Sequence, residues 1–142
     1  MDKLTREIHD HGKVRETMAF FENFLQTITS DDREHYSTRI HKFTDEYIID
    51  HFRFEEQEIF PLILEQGSEE EKEFINELQE EHGEILISLA IFLKVLFSYG
   101  PRPNKEEVKQ IIKSSEVVVS RVLLHARKED KLLFPLLKKY KM

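Results

Sequence analysis

Apolar side chains recur along this chain in steps of three and four. Near the start they fall at Leu4, Ile8, Val14, Met18, Phe21, Leu25 and Ile28, and His11 takes the one inward step that is not apolar. That spacing is the buried stripe of a helix in a bundle. A later stretch has the same form, through Ile75, Leu78, His82, Ile85, Leu89, Phe92 and Leu96. So does the last, through Val108, Ile111, Ser115, Val118, Val122, His125, Glu129 and Leu132. The second stripe is noisier, with Ile40, Phe43, Tyr47, His51, Glu55, Glu58 and Leu62. The run VVVSRVLL at 117–124 would suit a strand by propensity alone. The helical period continues on both sides of it, so a helix is expected.

Sparse punctuation divides the chain into four. TSDDRE at 29–34 ends the first helix and offers Ser30 or Asp31 as a cap for the second. EQGSEEE at 65–71 has Gly67 as a helix stop, and Ser68 with Glu71 forms a capping box. SYGPRPNKEE at 98–107 is the clearest loop, and Asn104 with Glu107 starts the last helix in the same way. The expected helices span 3–28, 32–64, 69–98 and 105–134. Pro61 is expected to kink or end the second, and Pro135 to leave a short C-terminal extension. Four helices with short loops make an all-α, up-down-up-down bundle. It reads as one domain of two helical hairpins, about 1–66 and 68–142.

Composition narrows the class. The 142 residues are 39% hydrophobic and 35% charged, with four Gly and four Pro, which suits long helices in one domain. A net charge of -7 carries no footprint of nucleic-acid binding. KKYKM at the end reads as a solvated helix terminus. The absence of cysteine excludes disulfides, thiolate ligands and cysteine nucleophiles. No apolar run approaches the roughly 20 residues needed to cross a bilayer. MDKLTREIHD is too polar for a signal peptide, so a cytoplasmic protein is expected.

Against this background six polar residues on the inward stripes stand out: His11, His51, His82, His125, Glu55 and Glu129. Burying an unpaired imidazole or carboxylate costs several kcal/mol, so six in one core need a common cause. They also repeat. DHGKV at 10–14 matches EHGEI at 81–85, and HFRFEEQEIFP at 51–61 matches HARKEDKLLFP at 125–135. Each hairpin thus offers a His from its first helix and a His and a Glu, four residues apart, from its second. Residues at that spacing lie about 40° apart on a helix, so both can face one centre. Imidazole and carboxylate without thiolate suit iron, manganese or zinc. Six donors are too many for one tetrahedral zinc and suit two ions bridged by the carboxylates.

The remaining polar residues read as ordinary. His9, about 160° around the helix from His11, is expected at the surface, as are His35 and His41. Glu56, Glu58 and Asp130 are possible partners for ligand imidazoles, with Glu56 and Asp130 expected to face solvent. Tyr47 and Phe52, Phe54, Phe60, Phe92 and Phe134 are read mainly as core. The Glu-x-x-His pairs of ferritin-like sites and the His-Glu-x-x-His of zinc proteases are absent.

The motifs DHGK, HFRFEEQEIFPLI, EEHGEILISL and HARKEDKLLFPLL together resemble the haemerythrin-like (HHE cation-binding) family over nearly the whole chain. Members are four-helix bundles holding a non-haem di-iron centre. The resemblance implies two iron ions with a bridging oxo or hydroxo group, manganese or zinc being possible substitutes. It also implies His11, His51, Glu55, His82, His125 and Glu129 as ligands, and a small diatomic molecule or peroxide as the partner. Oxygen-carrying members have a second histidine four residues after the one on the third helix, where this chain has Leu86. That shifts the expectation from stable oxygen carriage toward reactivity, sensing or loose storage. Members of that kind also use an Asp five residues after the last His. Asp130 stands there, but Glu129 is favoured because a step of five swings about 140° off the stripe. Three functions are in view: binding of O2, NO or peroxide at a di-iron centre, an iron-responsive interaction module whose fold depends on metal, and an enzyme reducing peroxide or NO. The sequence indicates no nucleic acid, no membrane and no particular protein partner.

Overall fold

The computed structural model describes residues 2–25, 33–99 and 103–142. Ile28 and the Ser30 or Asp31 cap lie outside these residues, as do the side chains of Leu25 and His35. Four helical runs are present among the described residues, with no strand. The first is α1 (Lys3–Leu25). The second joins α2 (Arg33–Phe43), a π-helical turn (Thr44–Ile49), α3 (Asp50–Phe54), a second π-helical turn (Glu55–Ile59) and α4 (Phe60–Gln66). The third is α5 (Glu69–Ser98). The fourth joins α6 (Lys105–Lys128), a π-helical turn (Glu129–Leu133) and α7 (Phe134–Lys139). The VVVSRVLL stretch is helical throughout.

Side-chain pairs give the directions. Glu77 and Lys128, Glu81 and His125, and Ser88 and Arg121 pair α5 with α6 in opposite order. Phe20 with Arg39 and Asp10 with His51 do the same for α1 and the second run. His41 with Phe97 and Glu56 with His82 do so for the second and third. Neighbours are antiparallel, which is the up-down-up-down bundle.

Both expected capping boxes are formed, Ser68 with Glu71 and Asn104 with Glu107. Gly67 is needed at the stop between α4 and α5. Its N–H donates to the Ile63 carbonyl, and an added Cβ would lie 2.6 Å from that oxygen.

Neither proline ends its helix. The second run continues through Pro61 to Gln66, and the expected extension after Pro135 is itself helical to Lys139. The cause is the π-helical turn before each proline. An α-helical proline clashes with the carbonyl four residues back and lacks a donor for it. Here the preceding residue bonds five residues back, Phe60 N–H to Glu55 and Phe134 N–H to Glu129. The wider turn makes room for the ring. It also inserts one residue into the stripe. After Glu55 the buried positions are Ile59 and Ile63 rather than the expected Glu58 and Leu62. After Glu129 they are Leu133 and Leu137, and Leu132 is half exposed.

The core has two apolar blocks. A large one is built around Met18, Phe43, Ile85, Leu89, Phe92, Val118 and Val122. A smaller one gathers Ile59, Phe60, Ile63, Ile75, Leu78, Leu133 and Leu137. A polar layer lies between them.

Candidate metal centre

Each run contributes to that layer at the level where its stripe turns polar. All six expected residues are there: His11, His51, His82 and His125 are at most 5% exposed, and Glu55 and Glu129 are fully enclosed. Glu7, one turn before His11 on α1, is equally enclosed.

The donors fall into two groups. Glu7, His11, His51, Glu55 and Glu129 each offer an atom within 4.8 Å of the others, and so do Glu55, His82, His125 and Glu129. The two glutamates at the head of the π-helical turns belong to both. Glu55 lies 2.9 Å from His82 Nε2 and 3.5 Å from His51 Nε2. Glu129 lies 3.1 Å from His11 Nε2 and 3.4 Å from His125 Nε2. Each carboxylate therefore reaches one imidazole of each group, Glu55 through its two oxygens and Glu129 through Oε1 alone.

The outer nitrogens are all engaged. Asp130 accepts from His11 Nδ1 at 2.7 Å, Asp10 from His51 at 2.9 Å, Glu56 from His82 at 3.0 Å and Glu81 from His125 at 2.8 Å. The four bonds run in a circle, each helical run holding the histidine of the next and the fourth holding that of the first. Such a carboxylate selects the Nδ1–H tautomer and turns the Nε2 lone pair inward. Basic side chains brace three of the four: Arg6 beside Asp10, Lys128 on Glu81 and Arg15 on Asp130. Aromatic rings enclose the layer. Phe52 stacks on His82 at 3.7 Å between centroids, and Phe60 covers the same imidazole. Phe134 covers His11.

Two tests of fit follow from the inner atoms. Several find no hydrogen-bond partner although buried: both oxygens of Glu7, one each of Glu55 and Glu129, and Nε2 of His51 and His125. Buried polar atoms are rarely left so unless something else engages them. The charge balance points the same way. Burial alone would lower His11 and His125, but bonds and charge from Glu129, with Glu7 or Glu81, push each up to about 9. Burial and the repulsion of His125 take His82 down to about 4. Burial and the repulsion of Glu129 and Glu7 raise Glu55, whereas His125, Glu55 and His11 hold Glu129 low against the effect of burial. The carboxylates thus draw protons onto two imidazoles. A cation would do the same work with more charge, displacing those protons.

Two sequence expectations need correction. Glu56 and Asp130 touch His82 and His11, although part of each side chain still meets solvent. Glu58 is exposed, for the register reason given above. Leu86 is 41% exposed while Ile85 takes the inward place, so position 86 does not face the layer. His9 and His41 are at the surface as expected.

Glu7 was missed because Ile8 is apolar and stands next to it. Ile8 is 55% exposed. The signal was the phase: Glu7, His11, Val14, Met18 and Phe21 keep strict four-three steps, which Ile8 does not. The outer carboxylates also had a signal. Each adjoins an inner residue, Asp10 before His11, Glu81 before His82, Glu56 after Glu55 and Asp130 after Glu129.

No described helix is long and apolar enough to cross a membrane. No curated protein and no solved structure matches the chain. The family model of the hemerythrin HHE cation binding domain matches residues 4–137. With that match over almost its whole length and a buried His/Glu layer suited to cations, the chain belongs to the hemerythrin HHE cation-binding domain family.

Proposed function

We propose that the polar layer holds two iron ions and that the protein binds or reacts with O2, NO or peroxide there. The carrying observation is the pair of buried donor groups that share Glu55 and Glu129. His11 and His51 would hold one ion, His82 and His125 the other, with the two glutamates between them. When bound, the iron pair supplies a redox-active centre for small oxidants.

The chain's own residues supply the rest. The circle of Nδ1 carboxylates fixes four Nε2 atoms without reorganisation. Phe52, Phe60 and Phe134 keep bulk water off. A cavity of about 20 Å³ adjoins His11, His51, His125 and Glu129, and its remaining wall includes Tyr47, Val14, Ile85 and Val122. That volume admits about one water-sized molecule, which favours a diatomic ligand or peroxide over an organic substrate.

Chain stripped of metal, loaded with iron(II) without air and freed of excess, should retain close to two irons. Its optical spectrum should change on adding O2, NO or peroxide. Retention of only a small fraction of one iron would reject the reading. A spectrum that forms and reverses repeatedly means carriage, whereas sustained consumption with a reductant means an enzyme. A second reading, an iron-responsive module, is favoured by the unpartnered buried atoms, since a metal that engaged them would couple its binding to folding. Equal melting temperatures with and without iron would exclude it.

A further inference from the structure

The two donor groups are unequal, and Glu7 is the reason. The four histidines and the two shared glutamates are paired by the internal repeat, His11 with His82 and His51 with His125. Glu7 breaks the pairing, because the residue at its offset of 71 is Leu78, which is also fully enclosed. One half thus has a buried carboxylate where the other has a buried methyl pair.

Within the fold Glu7 has only charge contacts with imidazoles. Its Oε2 is 3.2 Å from His11 Nε2 and 3.6 Å from His51 Nε2, yet neither oxygen of Glu7 makes a hydrogen bond. Both imidazoles already have partners on their outer nitrogens. A fold-stabilising role would be served better by an apolar side chain of similar size. Oε2 lies within 3.6 Å of both Nε2 atoms, where a third donor to the same cation would stand.

We infer that Glu7 is a seventh ligand, given to the ion at His11 and His51 alone, so that this position fills before the one at His82 and His125. The inference rests on the two-ion reading above. The first position has five donors with three carboxylates; the second has four, two of them shared. More anionic oxygen and more donors mean tighter binding of a hard divalent cation. As supply rises the protein passes through a one-ion form, and the two-ion form appears only at higher iron. Chemistry that needs both ions is then gated by supply.

Calorimetric titration of the metal-free chain with iron(II), without air, tests this. The intact chain should take up two ions in two resolved steps. Glu7→Leu, which copies Leu78 into the first half, should weaken the first step by roughly tenfold or more, since even outer partners of metal ligands cost 10- to 100-fold. The second step should change little. Metal-free Glu7→Leu should also melt higher than the metal-free parent, because a buried carboxylate has gone. Two ions bound by the parent with an unchanged isotherm for Glu7→Leu would overturn the role of Glu7 and leave the two-ion reading standing. A parent that binds fewer than two ions would overturn both. If Glu7→Leu does not fold, Glu7→Gln takes its place: an isotherm like the parent's with a lower metal-free melting temperature would assign Glu7 to the fold and end the proposal.

Discussion

The polar layer and the apolar blocks on either side of it are buried to the same degree, yet burial has opposite signs in the two. In the blocks each enclosed Leu, Ile or Phe contributes about 1.5–3 kcal/mol by leaving water. In the layer, three enclosed carboxylates and four enclosed imidazoles gain nothing from leaving water and need compensation. The lesson is that this core is stable in two currents: one present whenever the chain folds, the other delivered by whatever satisfies the layer.

The sharpest way to break the comparison is at a donor. His51→Ala should lose most of the bound iron and most of the melting-temperature gain that iron confers, read by metal analysis and by calorimetric melting with and without iron. A substitution in a block should behave differently. Leu78→Ala should cost about 2–5 kcal/mol of unfolding free energy, and urea titrations should give the same loss with and without iron. A metal-dependent loss at Leu78 would mean the blocks and the layer are not separable.

Next in size is the outer circle. Asp130→Ala frees Nδ1 of His11 without removing a proposed donor, so on the two-iron proposal stoichiometry should match the parent's while affinity falls about 10- to 100-fold. Competition with a chelator separates the two quantities. Outside both regions, Gly67→Ala forces a Cβ against the Ile63 carbonyl and should cost about 1 kcal/mol or more, again independent of iron.

The smallest effect is at the end of the bundle. Glu71 is drawn down to about 2 by the Ser68 N–H, the Tyr140 hydroxyl and Lys139. A carboxylate lowered on folding adds stability above its unfolded value near 4.5, and that stability is lost as pH falls toward 2. Glu71→Gln should therefore be less stable than the parent at pH 6, and the two unfolding curves should converge near pH 2.

Most of the architecture was legible in order along the chain. The α5 stripe from Ile75 to Leu96 is buried at every expected position. In the second and fourth runs the stripe slipped by one residue at each π-helical turn: at Ile48 in place of Tyr47, after Glu55 and after Glu129. A fixed period of 3.6 has no term for a π-helical turn, and local rules read Pro61 as a kink or end and Pro135 as the start of a short extension. At the layer, six inner residues could be picked out because polar residues on an apolar stripe are conspicuous. Glu7 could not, since an isoleucine beside it offered a cheaper stripe.

By itself the sequence determined the four helices, the caps at Ser68 and Asn104, the repeat and six of the imidazoles and carboxylates that are buried, because period, capping chemistry and residue type are local properties. Only the tertiary structure decided which carboxylate serves which imidazole. Asp10, Glu56, Glu81 and Asp130 each act on a different helical run, and Glu7 becomes a donor only because α1 lies where His51 and Glu129 converge on it. Pairings across a bundle depend on the rotation of each helix about its axis, and packing sets that rotation.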